Sequence, residues 1–291
     1  MRKVLITGSC GFLGHHLTKK LDTLGLYTIG IDNLSTGKRK YAKYSDDFIW
    51  DDIGFLTAED LEGVEWIFHT AALPRVPYSI EHPVETHDAN VNQTLNLLIA
   101  ARDAGVKKFV YSSSSSVYGG QDNYPTSEID RTVPLSPYAL QKLTAEQYCE
   151  IFRMVYGLPT VSLRYFNIFG EEQPADNAYT GVLTIFLDRA KRGEPLTVFG
   201  DGTQTRDFTY VQDVVDANIC VAESGEGIYN VGTGKNYSIN EIAHAVSNDI
   251  TYGPPRLGDP KTSLADTKRL LSLGWAPQMD ILTWIQGQKS K

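Results

Sequence analysis

Tyr138 and Lys142 stand four residues apart in Ser136-Pro137-Tyr138-Ala139-Leu140-Gln141-Lys142, a stretch that opens on a proline and reads as a helix. Positions i and i+4 share one helix face, so a phenol and an ammonium can meet at one spot. A free tyrosine titrates at about pH 10, and a neighbouring cation favours its phenolate. The spacing therefore predicts a general base able to take a proton from a hydroxyl near neutral pH. Upstream lies a run of serines, Ser112 to Ser116, which follows apolar Phe109-Val110-Tyr111 and ends in Val117-Tyr118-Gly119. The apolar stretch reads as a buried strand. Adjacent serines cannot all act in chemistry, and some would simply terminate that strand.

Whether a hydride leaves with the proton depends on the N-terminal region. Lys3-Val4-Leu5-Ile6-Thr7 reads as a strand, and Gly8-Ser9-Cys10-Gly11-Phe12-Leu13-Gly14 follows it. From His15 to Leu24 the helical spacing of Leu17, Leu21 and Leu24 predicts a helix with these leucines inward. Glycines three residues apart between strand and helix let the backbone turn tightly and approach a pyrophosphate resting on the helix N-terminus. A second strand, Tyr27-Thr28-Ile29-Gly30-Ile31, ends in Asp32, where an acid would bond an adenosine ribose 2′-hydroxyl. Asp32 would repel a 2′-phosphate, and its neighbours Asn33 and Leu34 offer no arginine to hold one. NAD is expected rather than NADP.

The elements that must position these groups continue the alternation. Asp47-Phe48-Ile49-Trp50 reads as a strand with Asp51-Asp52-Ile53 as its exit, and Glu65-Trp66-Ile67-Phe68-His69 as another. Thr70-Ala71-Ala72 are small enough to let a cofactor approach the backbone. Asn90 to Ala104 reads as a helix with Val91, Leu95, Leu98 and Ile99 inward, and Thr160-Val161-Ser162-Leu163-Arg164 as a sixth strand. This pattern predicts an α/β fold with a doubly wound parallel sheet (a Rossmann fold), whose ligands lie beyond the carboxyl ends of the strands. The expected division is a dinucleotide-binding domain over 1–167, completed by part of 203–235, and a smaller α/β substrate-binding region over 168–291.

Bulk properties exclude several classes. The chain has 291 residues and a formal net charge of -8, with no basic cluster beyond Lys38-Arg39-Lys40, so nucleic acid is not an expected partner. Cys10, Cys149 and Cys220 are widely spaced and form no metal-ligand pattern, so no metal is expected and a cytoplasmic setting follows. No apolar run approaches the ~20 residues of a membrane span. Met1-Arg2-Lys3 leads into a strand rather than into the apolar region of a signal peptide.

Taken together, Gly8-x-x-Gly11-x-x-Gly14, Asp32-Asn33-Leu34-Ser35-Thr36-Gly37, Ser113-Ser114-Ser115-Ser116-Val117-Tyr118-Gly119, Tyr138-x-x-x-Lys142 and Arg164-Tyr165-Phe166-Asn167 resemble the extended short-chain dehydrogenase/reductase family. More narrowly, the chain is similar to the NAD-dependent nucleotide-sugar 4-epimerases, through Gly200-Asp201-Gly202-Thr203 and Arg206-Asp207-Phe208 to Leu273-Gly274-Trp275. The resemblance implies that Tyr138 takes the proton of a sugar 4-hydroxyl while hydride passes from C4 to NAD. Lys142 would lower the Tyr138 pKa and hold the nicotinamide ribose, and Ser114 would hydrogen-bond the 4-oxygen. The 4-keto sugar would turn over and receive the hydride on its other face, leaving NAD tightly bound and regenerated each cycle. The same resemblance implies NAD contacts at Gly8, Gly11, Phe12, Leu13, Gly14, Asp32, Asn33, Ser35, Thr36, Gly37, Asp52, Ile53, Ala71, Ala72, Leu73, Asn90 and Phe166, beside Tyr138 and Lys142.

Relatives that eliminate water or carbon dioxide carry an acid immediately before the Val/Leu-Tyr-Gly step, whereas this chain has Ser115 and Ser116. Neither can act as a carboxylate, which favours epimerisation. For the UDP-sugar, the resemblance implies contacts from Asn167 and from two diphosphate-binding arginines, Arg206 and Arg256, whose planar forks suit phosphate oxygens. Asp259 would take ribose hydroxyls, and Val198 would flank a uracil unless it is core. Ser263 stands where a residue controls the volume beside the sugar 2-substituent; serine leaves room for an N-acetyl group. UDP-N-acetylglucosamine and UDP-N-acetylgalactosamine are therefore favoured, with UDP-glucose and UDP-galactose as further substrates.

Alternatives stand beside this reading. Arg75, in the loop after Ala72, could pair with a substrate carboxylate and make the enzyme a UDP-glucuronate 4-epimerase, or pair with Glu81 or Glu85. A dehydratase or net oxidoreductase of the same family, and an NAD-sensing binding protein, are the other two. The region from Ile242 to Pro254 looks short, with Asn248-Asp249-Ile250 in place of a longer helix and strand. Ile151, Phe152 and Val155 could pair with a second subunit, giving the homodimer the resemblance implies, or pack on the sheet.

Overall fold

The structure, a computed structural model, describes residues 1–74, 76–121, 123–174, 181–255 and 261–289. In chain order the elements of the first part are β1 (Lys3–Thr7), α1 (Phe12–Thr23), β2 (Tyr27–Ile31), β3 (Asp47–Ile49), β4 (Val64–His69), α2 (Val76–Glu81), α3 (Pro83–His87), α4 (Gln93–Asp103), β5 (Lys108–Ser114), α5 (Pro137–Tyr156) and β6 (Thr160–Tyr165). The second part carries β7 (Ile168–Phe169), α6 (Val182–Lys191), β8 (Leu196–Phe199), β9 (Thr205–Arg206), β10 (Thr209–Tyr210), α7 (Val211–Ser224), β11 (Gly227–Val231), β12 (Tyr237–Ser238), α8 (Ile239–Val246), β13 (Ile250–Gly253), α9 (Lys268–Leu271) and α10 (Ile281–Lys289).

Seven strands form one sheet in the order β3-β2-β1-β4-β5-β6-β11. The pairings β3·β2, β2·β1, β1·β4 and β4·β5 are all parallel. The chain winds outward from β1 in both directions, so the switch point lies between β1 and β4, where such sheets bind ligands beyond the strand ends. The doubly wound sheet expected from the alternation of elements is present.

The chain divides into two compact units: residues 1–117, 134–164 and 215–229 form the first, and 118–133, 165–214 and 230–291 the second. The first has its core in Leu5, Ile31, Ile67, Leu97, Leu98, Phe109, Tyr111 and Phe152. The second packs Phe169, Phe186, Leu196, Val198, Phe208, Ile242, Trp284 and Ile285. At roughly 25 cal/mol per Å² of buried apolar surface, each of these large side chains contributes ~1.5–3 kcal/mol.

Two expectations from periodicity need correction. α1 ends at Thr23, and Leu24 lies beyond it with its side chain half exposed, while Leu17 and Leu21 are fully buried. On α4 it is Leu97, not Ile99, that joins Leu98 in the core. The cause is a π-helical turn, Asp88–Asn92, directly before α4. A residue inserted into the helical repeat rotates every later side chain, so a face counted from Asn90 lands off register. Between Ile242 and Pro254 lie the end of α8 and the four-residue β13.

Candidate active site

The turn from β1 into α1 is dictated by its glycines. Gly8 has a φ of +66°, and a methyl group on it would lie 2.8 Å from the Ala71 backbone. A methyl on Gly14 would lie 2.0 Å from the Gly8 carbonyl oxygen, so no larger residue fits that helix turn without moving the loop. Phe12 and Leu13 open α1 and are partly buried. Asp32, at the end of β2, accepts from Cys10 N–H at 2.9 Å and from Leu34 N–H at 2.7 Å. Burial pushes its pKa upward while these two bonds pull it back. Asn33 donates to Asp52 at 2.6 Å and caps Ser35 N–H at 2.9 Å. Ser35 and Thr36 are exposed, Gly37 lies against the Asp32 carboxylate, and Ile53 is buried one residue past Asp52. A tight glycine turn at a helix N-terminus with a buried acid at the next strand end is the donor set a dinucleotide needs. The residues present therefore fit NAD.

Across the switch point, Ala71 N–H donates to Thr7 Oγ1 at 3.1 Å. The Thr7 hydroxyl contacts His69 Nδ1 at 2.7 Å, and His69 Nε2 contacts Thr94 Oγ1 at 2.8 Å. Thr94 in turn donates to the Asn90 carbonyl at 2.9 Å. Because Thr94 gives its hydrogen to the Asn90 carbonyl, it accepts from Nε2–H, which leaves Nδ1 to accept from the Thr7 hydroxyl. Protonating Nδ1 as well would turn the Thr7 hydrogen away from this acceptor. Burial and the nearby Lys142 charge hold His69 neutral, with a pKa lowered to about 3. Asn90, in the π-helical turn, accepts from Leu73 N–H at 2.8 Å, donates to Leu73 carbonyl at 3.2 Å and donates to Gln141 at 3.0 Å. Its side chain is thus engaged in holding the Ala71-Ala72-Leu73 backbone.

α5 begins where the sequence indicates. Ser136 caps it by accepting from Ala139 N–H at 3.2 Å, Pro137 fills the first turn, and Gly157 ends it at a φ of +71°. Tyr138 N–H donates to buried Ser79 Oγ at 3.0 Å, which fixes the first turn. The Ser114 hydroxyl lies near enough to the Tyr138 phenol to act on its pKa. Lys142 donates from Nζ to the Ser112 carbonyl at 2.8 Å, with the Tyr111 ring 5.1 Å away. The structure therefore brings Ser114, Tyr138 and Lys142 to one place.

The expected tuning is not what the protein alone provides. Tyr138 is pushed up to about 12, chiefly by burial of its hydroxyl, with the Ser114 hydrogen bond opposing. Lys142 is pushed down to about 7 by burial. Helical spacing predicted a cation lowering the tyrosine; desolvation outweighs it because both groups sit inside, where each neutral form is favoured. Of the remaining serines, Ser113 donates to Glu146 at 2.8 Å, Ser116 N–H donates to Ser114 Oγ at 3.2 Å, and Ser115 and Ser116 open a 3₁₀ turn. Ser116 Oγ is buried with no partner among the described residues.

In the second unit, β9 carries Arg206, 9 % exposed, whose guanidinium donates to the Thr205 carbonyl at 2.8 Å. Thr205 N–H donates to the Lys261 carbonyl at 2.9 Å, and the Thr205 carbonyl accepts from Ser263 N–H at 3.1 Å. Arg206 and Ser263 are thus neighbours. Asp207 holds this arrangement, accepting from Thr233 N–H at 2.8 Å, Thr233 Oγ1 at 2.7 Å, Gly234 N–H at 3.0 Å and Ala265 N–H at 3.1 Å. Asn167 donates to the Asp207 carbonyl at 2.9 Å. Phe166 is buried, its ring 6.3 Å from that of Tyr118. Val198 is fully buried in the second core. Arg75, Arg256 and Asp259 lie outside the described residues.

Sequence reasoning overlooked His69, Thr94, Gln141, Glu146 and Asp207. Glu146 was visible as the next i+4 position after Lys142, and His69 as a polar residue ending an apolar strand. The Asp207 contacts join stretches up to 58 residues apart and had no local signal.

A putative UDP-glucose 4-epimerase of Methanocaldococcus jannaschii is 37 % identical over 289 residues, 96 % of this chain and 94 % of the relative. The solved UDP-N-acetylglucosamine 4-epimerase of Methanobrevibacter ruminantium M1, in complex with UDP-N-acetylmuramic acid, superposes with a TM-score of 0.91 at 35 % identity, covering 99 % of each chain. A UDP-glucuronic acid 4-epimerase variant of Bacillus cereus, solved with NAD and a fluorinated UDP-glucuronic acid, gives a TM-score of 0.90 at 29 % identity, covering 98 % of this chain and 96 % of that one. Residues 4–232 match the NAD dependent epimerase/dehydratase family, and with the glycine turn, Asp32 and the Ser114–Tyr138–Lys142 cluster in place, this chain belongs to that family.

Proposed function

We propose that the protein interconverts a UDP-sugar with its 4-epimer, acting on UDP-N-acetylglucosamine and UDP-N-acetylgalactosamine. The observation that carries the reading is the Tyr138 phenol beside Ser114 at the end of β5, with Lys142 anchored one helical turn along on the Ser112 carbonyl. Gly8, Gly11, Gly14 and Asp32 would hold the dinucleotide at the switch point. NAD, when bound, supplies a hydride acceptor at its nicotinamide, a donor for the return step and a positive charge.

Tyr138 removes the proton from O4 as the C4–H bond gives up its hydride, leaving a 4-keto sugar. Ser114 donates a hydrogen bond to that oxygen. After the ketone presents its other face, hydride returns to C4 and Tyr138 gives the proton back to O4, so no net redox change remains and the dinucleotide stays bound. Arg206 and Asn167 would engage the diphosphate, with Arg256 and Asp259 as further contacts. Support for the N-acetylated sugars comes from the small Ser263 side chain beside Arg206. Ser115 and Ser116, where eliminating relatives carry acids, support inversion at a single carbon.

Among the described residues no helix is long and apolar enough to cross a membrane. Cys10, Cys149 and Cys220 form no disulfide among the described residues, which suits a reducing cytoplasm. α5 buries Phe152 but leaves Leu140, Ile151, Met154 and Val155 exposed, which supports a homodimer through this helix.

Purified protein without added NAD, incubated with the UDP forms of N-acetylglucosamine, glucose and glucuronate, tests the proposal by proton NMR. Growth of 4-epimer signals, fastest from the N-acetylated sugar, is the expected result. Preference for the glucuronate would instead assign Arg75 a carboxylate partner. A stable 4-keto-6-deoxy or pentose product would refute epimerisation.

A further inference from the structure

We infer that Glu146 is a positioning residue for the reaction centre, holding α5 in register against β5 through Ser113 and against β6 through Arg164. The inference rests on Tyr138 acting as the base proposed above. Glu146 is 2 % exposed and Arg164 3 %. Arg164 Nε donates to Glu146 Oε2 at 3.0 Å, and its terminal amine pairs with Oε1. Ser113 Oγ donates to the same Oε2 at 2.8 Å.

The pattern on the two elements is matched. Tyr138, Lys142 and Glu146 occupy successive turns on one face of α5, at i, i+4 and i+8. Three consecutive residues of β5 each meet one of them. Ser114 acts on the Tyr138 phenol, the Ser112 carbonyl accepts from Lys142, and the Ser113 hydroxyl donates to Glu146. The third contact touches no reacting atom, yet it is the one secured by a two-pronged charged bond to a third element, β6. A forked guanidinium–carboxylate pair fixes direction as well as distance.

Stability alone gives little reason for such a pair. Replacing a buried ion pair with well-packed apolar residues is often neutral or stabilising, whereas removing one partner strands a charge. What the pair contributes is a fixed angle and depth for α5. Burial pushes Tyr111 and Cys149 upward, and the Glu146 charge adds to that push. Tyr138 is governed by burial and Ser114, and Lys142 by burial and Cys149. Glu146 thus acts by placement and not by titrating the base, and placement within ~1 Å governs about 100-fold in rate.

The test uses the NAD-loaded protein and two variants. Ser113→Ala removes the β5 contact and keeps the ion pair, a change small enough to leave folding intact. The triple variant Ser113→Ala, Glu146→Leu, Arg164→Met removes both charges and the Ser113 hydroxyl together, so neither charge is left facing an apolar replacement. The expected results are kcat lower by about tenfold in the first and about 100-fold in the second. KM and the pH profile of kcat should be unchanged, and NAD should remain bound. Wild-type kcat in either folded, NAD-loaded variant would overturn the inference. So would a fall in kcat accompanied by an equal rise in KM, which marks general distortion. If wild-type protein itself turned over no UDP-sugar, the proposed function would fail instead, so the two failures are distinguishable.

Discussion

Glu146 in the first unit is 2 % exposed and faces the full positive charge of Arg164, while Asp207 in the second is fully buried and accepts from three backbone N–H groups and a hydroxyl. Both organise the residues beside them. Glu146 joins elements that the sheet and helices already define, so its pair can be replaced as a unit by apolar side chains. Asp207 gathers Thr233, Gly234 and Ala265 from stretches that share no long strand or helix. Three of its four donors are main-chain N–H groups, which side-chain truncation leaves in place. The first carboxylate should matter for geometry and the second for integrity.

Tyr138→Phe should have the largest effect. It removes the proton acceptor and should lower kcat by about 10²–10⁴-fold while NAD and the unfolding curve stay as in the wild type, read by NMR turnover and urea titration. A variant that kept full activity would remove the base from the account and with it the special position of the first unit.

Asp207→Ala follows. Four donors lose their acceptor, which should reduce unfolding free energy by at least about 3 kcal/mol in urea titration. KM for the UDP-sugar should rise as the stretches carrying Arg206 and Ser263 part. The paired replacement Glu146→Leu with Arg164→Met should move stability far less. Equal losses in the two would erase the contrast between the carboxylates.

Near neutral pH the smallest effect belongs to His69. Its folded pKa, lowered to about 3 from an ordinary 6.5, means that the unfolded chain binds a proton the folded chain refuses. Stability should therefore fall as pH drops from about 6.5 toward 3, with this residue adding about 1.4 kcal/mol per pH unit inside that window. His69→Gln should flatten the curve by that slope. An unchanged slope would show that the imidazole is not held neutral between Thr7 and Thr94.

The legible parts were local. Glycine spacing, the acid ending β2, the Ser136-Pro137 helix start and the Tyr138–Lys142 spacing are short-range patterns, and they led to the fold and to one cluster. Depth was not legible: spacing puts Tyr138 and Lys142 on one face but does not say that both groups are desolvated, which reverses the expected shift of the tyrosine. Phase was lost at the π-helical turn, which exchanged Ile99 for Leu97. The serine run could not be apportioned from sequence because Ser113 and Ser114 differ only in which side chain of α5 each meets. Arg206 and Ser263 were placed by resemblance, while the Asp207 contacts that link their stretches are set wholly by tertiary structure.

The central claim is that hydride leaves C4 and returns to C4 within one turnover. A UDP-N-acetylglucosamine carrying deuterium at C4, incubated with the protein in ordinary water, tests it directly by NMR and mass spectrometry of the 4-epimer. The account predicts that product keeps its deuterium at C4 with no free NADH released. Deuterium washed out into solvent, or NADH accumulating in step with product, would contradict it.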